Sequence, residues 1–172
     1  MRRPAGTVEE AFRVSVAFTR EEDLEAAAAH LPDRPVSPHP NLVTPKGLAE
    51  LESALAAARS AFSAAQAQGG LQADRTAMAS AARDLRYYAS RRASAQVVEP
   101  AAGSERVAFG RTVTFDRDDG RRQTFRIVGE DEANAAQGSV SYVSPLARAL
   151  LGKAPGDVAV LAGAEIGVVA VE

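Results

Sequence analysis

The chain of 172 residues predicts an α+β protein, an antiparallel helical hairpin (a coiled coil) followed by an antiparallel sheet with one short helix. Three observations carry that prediction. Apolar residues recur at helical spacing between 44 and 98 and at alternate positions beyond 105. The small-residue linker Pro100-Ala101-Ala102-Gly103-Ser104 separates the two regimes, and Gly69-Gly70 interrupts the helical one near its middle. The expected organisation is an N-terminal extension at 1–43, a hairpin at 44–98 with its tip near 69–74, and a sheet domain at 105–172.

Residues 1–24 are mixed and charged. From Leu31 to Pro40 the sequence places Pro at 32, 35, 38 and 40, which precludes a helix and favours extended backbone. A short helix over Arg20–His30 is expected between them, with Thr19 as cap and Glu21, Glu22 and Asp23 at the positive end of its dipole. Thr44-Pro45 is a helix start, because Thr supplies a side-chain acceptor and Pro has no N–H to waste at the first position. Helix one should run to about Gln68, with Leu48, Leu51, Leu55 and Phe62 on one stripe and Ala54, Ala58 and Ala65 filling it. A second helix, Asp74 to Ala95, carries Met78, Ala81, Leu85, Tyr88 and Arg92 on a matching stripe. The short connection makes the pair antiparallel. A helix of this length spans about 36 Å, so its tip should stand clear of a small domain.

Beyond the linker, Val107, Phe109, Val113 and Phe115 alternate into a turn at Asp118-Asp119-Gly120, and Gln123–Val128 returns as a hairpin. The loop Gly129-Glu130-Asp131-Glu132-Ala133 precedes a strand at Ser139–Val143. Ser144-Pro145 then caps a helix of about two turns that Gly152 ends. Strands Val158–Leu161 and Ile166–Val171, joined at Gly163, complete the sheet.

Composition excludes several chemistries. With no Cys and two His, disulfide scaffolds, zinc knuckles and thiol catalysis are ruled out, and a cytoplasmic protein is expected. A net charge of −2 gives no global basic field for nucleic acid, so any such contact must be local or through a partner. No apolar run approaches the ~20 residues of a membrane span, so neither anchor nor signal peptide is expected. Residues 75–92 hold five Arg (75, 83, 86, 91, 92) against Asp84 alone, a basic strip that is either a solvated face or a seat for a charged partner. No phosphate-binding glycine loop, nucleophile elbow or paired His is present, so no catalytic residue, metal site or cofactor is assigned. The Glu130-Asp131-Glu132 cluster reads as a solvated acidic turn, with a divalent cation as the minor alternative.

Three stretches resemble a known family: Val107-Ala108-Phe109-Gly110, then Phe125 to Ala133 (FRIVGEDEA), then Val143 to Lys153 (VSPLARALLGK). Together with Thr44-Pro45-Lys46-Gly47-Leu48 and Ala95-Gln96-Val97-Val98, they make residues 41–172 similar to the GreA/GreB transcript cleavage factors. The stretch Pro32 to Leu48 resembles a variant branch of the same family. The resemblance implies that the C-terminal domain is FKBP-like and docks on the rim of the RNA polymerase secondary channel, through Val143, Ser144, Pro145, Leu146 and Arg148. It also implies that the coiled-coil arm enters the channel.

In that family an Asp and a Glu at the arm's tip hold the polymerase's second magnesium ion and a water for hydrolysis of backtracked RNA. Here the corresponding stretch is Gly70-Leu71-Gln72-Ala73-Asp74. Gly70 and Ala73 replace the two acids, Asp74 is the nearest carboxylate towards a polymerase-bound Mg, and the arm is about two turns shorter than the family's. The tip residues Gly70, Leu71, Asp74 and Arg75 are partly similar to the tip of DksA through Asp74-Arg75-Thr76-Ala77, and the short arm is similar to that of Rnk. The resemblance therefore implies a monomeric, non-enzymatic regulator that meets nucleic acid only through the polymerase and does not stimulate cleavage. The alternatives are cleavage stimulation using Asp74, whose other reading is an N-cap of helix two, and prolyl isomerisation. The last needs an aromatic-lined pocket, and the domain's aromatics, Phe109, Phe115, Phe125 and Tyr142, stand where the core needs them.

Overall fold

The computed structural model of the protein describes residues 31–67, 75–100, 103 and 105–172. The expected helix at Arg20–His30 and the tip residues Gly70, Leu71 and Asp74 lie outside these. The chain forms two compact units, one of Met1–Pro35 with Ala57–Tyr87, the other of Val36–Ala56 with Tyr88–Glu172.

The second unit contains the base of the hairpin and the sheet. Strand β1 (Leu42–Val43) leads into helix α1 (Pro45–Ala67), and helix α2 (Arg75–Ser94) leads out into strand β2 (Gln96–Val97). Strands β1 and β2 pair in parallel, Leu42 with Gln96 and Val43 with Val97. Val43 is buried, and Asn41 accepts the Gln96 N–H on its carbonyl at 2.8 Å, so the residues just before the hairpin pack with its end. A two-residue strand is too short to leave a periodic signature. Thr44 caps α1, its Oγ1 accepting the Gly47 N–H at 3.0 Å. Leu51 and Leu55 are buried, as the stripe requires. Near the end of α2, Arg92 donates to Glu52 at 2.8 Å, which fixes the antiparallel sense of the pair. The second stripe needs one correction, since it is Arg91 and not Arg92 that is buried. Both lie one turn beyond Tyr88, and helical spacing alone does not separate them.

The sheet comprises β3 (Thr112–Arg117), β4 (Arg122–Val128), β5 (Ser139–Ser141), β6 (Val158–Leu161) and β7 (Ala164–Val171), in the order β5-β4-β3-β7-β6. Its pairings are antiparallel except β4 with β5, which is parallel. The sheet is thus mainly antiparallel, and its one parallel pair has a physical reason. The chain leaves β4 through the acidic loop and a 3-10 turn at Ala135–Gln137, a path long enough to bring β5 back in the same direction. Helix α3 (Pro145–Leu150) buries Ala147 and Leu150 on a core of Val107, Val113, Phe115, Ile127, Ala159, Ile166 and Val168. Val107 reaches that core from outside the sheet, exchanging backbone hydrogen bonds with Gly152 and Lys153.

In the first unit, the described parts of both helices keep their predicted stripe, with Ala58 and Ala81 buried and Phe62, Ala65, Met78 and Leu85 half-buried.

Candidate functional site

The five residues Val143, Ser144, Pro145, Leu146 and Arg148 come together at the corner where the chain enters α3. Ser144 is extended (φ −63°, ψ 151°) and its Oγ accepts the Ala147 N–H at 3.1 Å, while Pro145 occupies the first turn. This is the cap that the Ser-Pro pair predicts. Pro145 and Arg148 are exposed, whereas Leu146 packs against the core. The corner thus offers a rigid ring and a cation to solvent, and Leu146 serves the fold. At the tip, Arg75 is the exposed first residue of α2.

The acidic loop after β4 takes partners far along the chain that its own sequence does not announce. Glu132 accepts the Thr44 N–H on Oε1 at 2.8 Å and the Thr44 hydroxyl on Oε2 at 2.6 Å, so a carboxylate crowns the start of α1. Arg91, 2% exposed, donates from Nε to Asp131 at 2.5 Å and has Glu130 at 3.9 Å. Asn41 donates to the Arg91 carbonyl at 2.6 Å, and the Tyr142 hydroxyl donates to the Pro40 carbonyl at 2.6 Å. Burial, and then the Glu130 carboxylate, push the Tyr142 phenol above its ordinary pKa. Two glycines accommodate the approach. A Cβ on Gly47 would fall on the Glu132 carboxylate, and one on Gly129 would fall on the Leu42 carbonyl oxygen.

Glu130, Asp131 and Glu132 are therefore engaged by the base of the hairpin, which overturns the reading of a merely solvated turn. Among the described residues no group of His, Cys, Asp and Glu is arranged to hold a metal ion. The available signals in the sequence were a Gly in the first turn of a helix and an Arg on an otherwise apolar stripe. Both are locally unfavourable choices.

A cleft of about 350 Å³ lies beside this network, lined by Lys46, Glu50, Arg126, Glu132, Asn134 and Ser139 among others. Its lining contains no aromatic residue. Phe115 stacks on Phe125 with ring centroids 6.3 Å apart, and Phe109 meets Tyr142 edge-on at 5.8 Å. These four aromatics thus contact one another in two pairs.

Much of the basic strip on α2 is matched within the chain. Arg86 pairs with Asp33, Arg83 with Asp84, Arg91 with Asp131, and Arg92 with Glu52.

Residues 102–171 match the family model described as transcription elongation factor, GreA/GreB, C-terminal. The segment at 102–171 is thus similar to the C-terminal domain of the GreA/GreB family. The chain is 46% identical over 81 residues to the transcription elongation factor GreB of Neisseria meningitidis serogroup B, covering 46% of this chain and 50% of that one. It is 54% identical over 67 residues to GreA of Alkalilimnicola ehrlichii, covering 37% of this chain and 42% of that one. The chain thus spans about half the length of the curated relatives it matches. Among solved structures, GreA factor homolog 1 (Gfh1) of Thermus thermophilus aligns with 78% of this chain and 99% of its own, at 22% identity and a TM-score of 0.36. Among the described residues, no helix is long and apolar enough to cross a membrane.

Proposed function

We propose that this protein is a monomeric cytoplasmic regulator of the Gre family that binds RNA polymerase at the rim of its secondary channel and places its short arm's tip in the channel. In this reading it modulates transcription without stimulating cleavage. The observation that carries it is the match of residues 102–171 to the Gre C-terminal domain, with the Ser-Pro corner capped and Pro145 and Arg148 turned outward. The tip sequence supports the second half. Gly70 and Ala73 carry no carboxylate, and Asp74 alone cannot both ligate a catalytic magnesium ion and orient a water.

The decisive experiment combines binding and chemistry. The full chain should co-elute with polymerase core and, added to a backtracked complex, should release no short 3′ RNA above the intrinsic rate while slowing or shifting synthesis. Failure to bind core refutes the reading. Robust fragment release that vanishes in Asp74→Ala replaces it with cleavage stimulation.

A further inference from the structure

We infer that the Pro-flanked segment Leu31–Pro35 is an intramolecular splint that holds the distal part of α2 helical. The segment and the Arg75–Tyr87 part of the helix belong to one compact unit. Two consecutive side chains of the segment grip α2. Asp33 Oδ1 accepts from both Nε and Nη2 of Arg86, at 2.8 and 2.6 Å. The Arg34 guanidinium lies 3.8 Å over the centre of the Tyr87 ring and 3.6 Å from the Asp84 carboxylate. Asp84 and Tyr87 are three residues apart, so they present one face of the helix to Arg34. Pro32 and Pro35 restrict the backbone on either side of the gripping pair, which lowers the entropy lost when the segment is laid down.

The helices need such support here. Among the described residues of this unit, the buried hydrophobic side chains are Ala58 and Ala81, whose methyl groups remove little area from water. The stretch Arg83–Tyr87 also carries Arg83, Asp84 and Arg86, so its own composition gives it a thin apolar face. Contacts along its charged side then contribute a large share of its local stability.

The test is amide hydrogen exchange on the full chain. An exposed ion pair or cation–π contact is each worth up to roughly fivefold in a local opening equilibrium, so removing the set should act together. In Asp33→Ala with Arg34→Ala, protection of amides 79–88 should fall by about 5- to 30-fold, while β3 and β4 amides stay unchanged. A charge exchange supplies the second arm. Asp33→Arg alone should lower protection of 79–88, and adding Arg86→Asp should recover most of it. Unchanged protection in the double alanine variant overturns the inference. So does an equal loss in β3 and β4, or a charge exchange that recovers nothing.

Discussion

Replacing Gly47 with Ala is a substitution whose sign the structure reverses. Within a helix, Gly to Ala ordinarily stabilises by up to about 1 kcal/mol. At Gly47 the new Cβ coincides with the Glu132 carboxylate. That carboxylate ends a flexible side chain and can swing away, so the cost is not an overlap energy. It is the loss of the hydrogen bonds that Glu132 accepts from the Thr44 N–H and hydroxyl. A hydrogen bond to a charged group contributes about 1.5–3 kcal/mol, less where the pair is only part-buried as here. Two such bonds, offset by the helix gain, leave Gly47→Ala destabilised by about 1–4 kcal/mol, measured as a lower urea midpoint with unchanged m-value. The decisive assay is a double-mutant cycle with Glu132→Ala. With the carboxylate gone, Gly47→Ala should become neutral or stabilising by a few tenths of a kcal/mol or more. If Gly47→Ala stabilises the parent chain, or destabilises it equally in both backgrounds, the carboxylate does not occupy the helix start and the argument fails.

Three further outcomes are expected. Arg148→Glu should weaken polymerase core binding about tenfold or more without altering the circular dichroism spectrum, because Arg148 is exposed; Leu146→Asp is the poorer probe, since Leu146 packs on the core. Gly70→Asp with Ala73→Glu tests the tip: gained RNA cleavage would mean the arm already reaches the active site, and continued silence would assign the deficit to its length. Tyr142 has a phenol pKa raised in the fold, so its contribution is fully present below the unfolded value of about 10 and is lost as pH rises through the folded one. The denaturation midpoint of the parent should therefore fall more steeply than that of Tyr142→Phe above about pH 10, and parallel curves would contradict the burial described.

What was legible in the sequence was whatever depends on neighbours along the chain. The Thr44-Pro45 and Ser144-Pro145 starts, the Leu51–Leu55 stripe and strand Val158–Leu161 rest on capping, helical period and alternation, all local. What escaped depends on partners far apart. Thr44 meets Glu132 across 88 positions and Arg91 meets Asp131 across 40, and nothing local distinguishes those acids from a solvated loop. The parallel pairings of β1 with β2 and of β4 with β5 escaped for the same reason. Of the candidate site, the corner at α3 was readable from its cap, but the division of labour between exposed Arg148 and core-bound Leu146 needed the packing.

The acidic loop has a consequence for how such proteins recombine. The family-matched segment begins at residue 102, yet the groups that satisfy its loop, Thr44 and Arg91, lie outside it. The segment that the family model matches is thus smaller than the unit of folding. A gene fusion that joined this C-terminal segment to a foreign arm would strand the loop's three carboxylates unless the newcomer brought an Arg, a capping Thr and a glycine at matching places. Compatibility at the arm's base, more than at its tip, would then filter which chimeras survive.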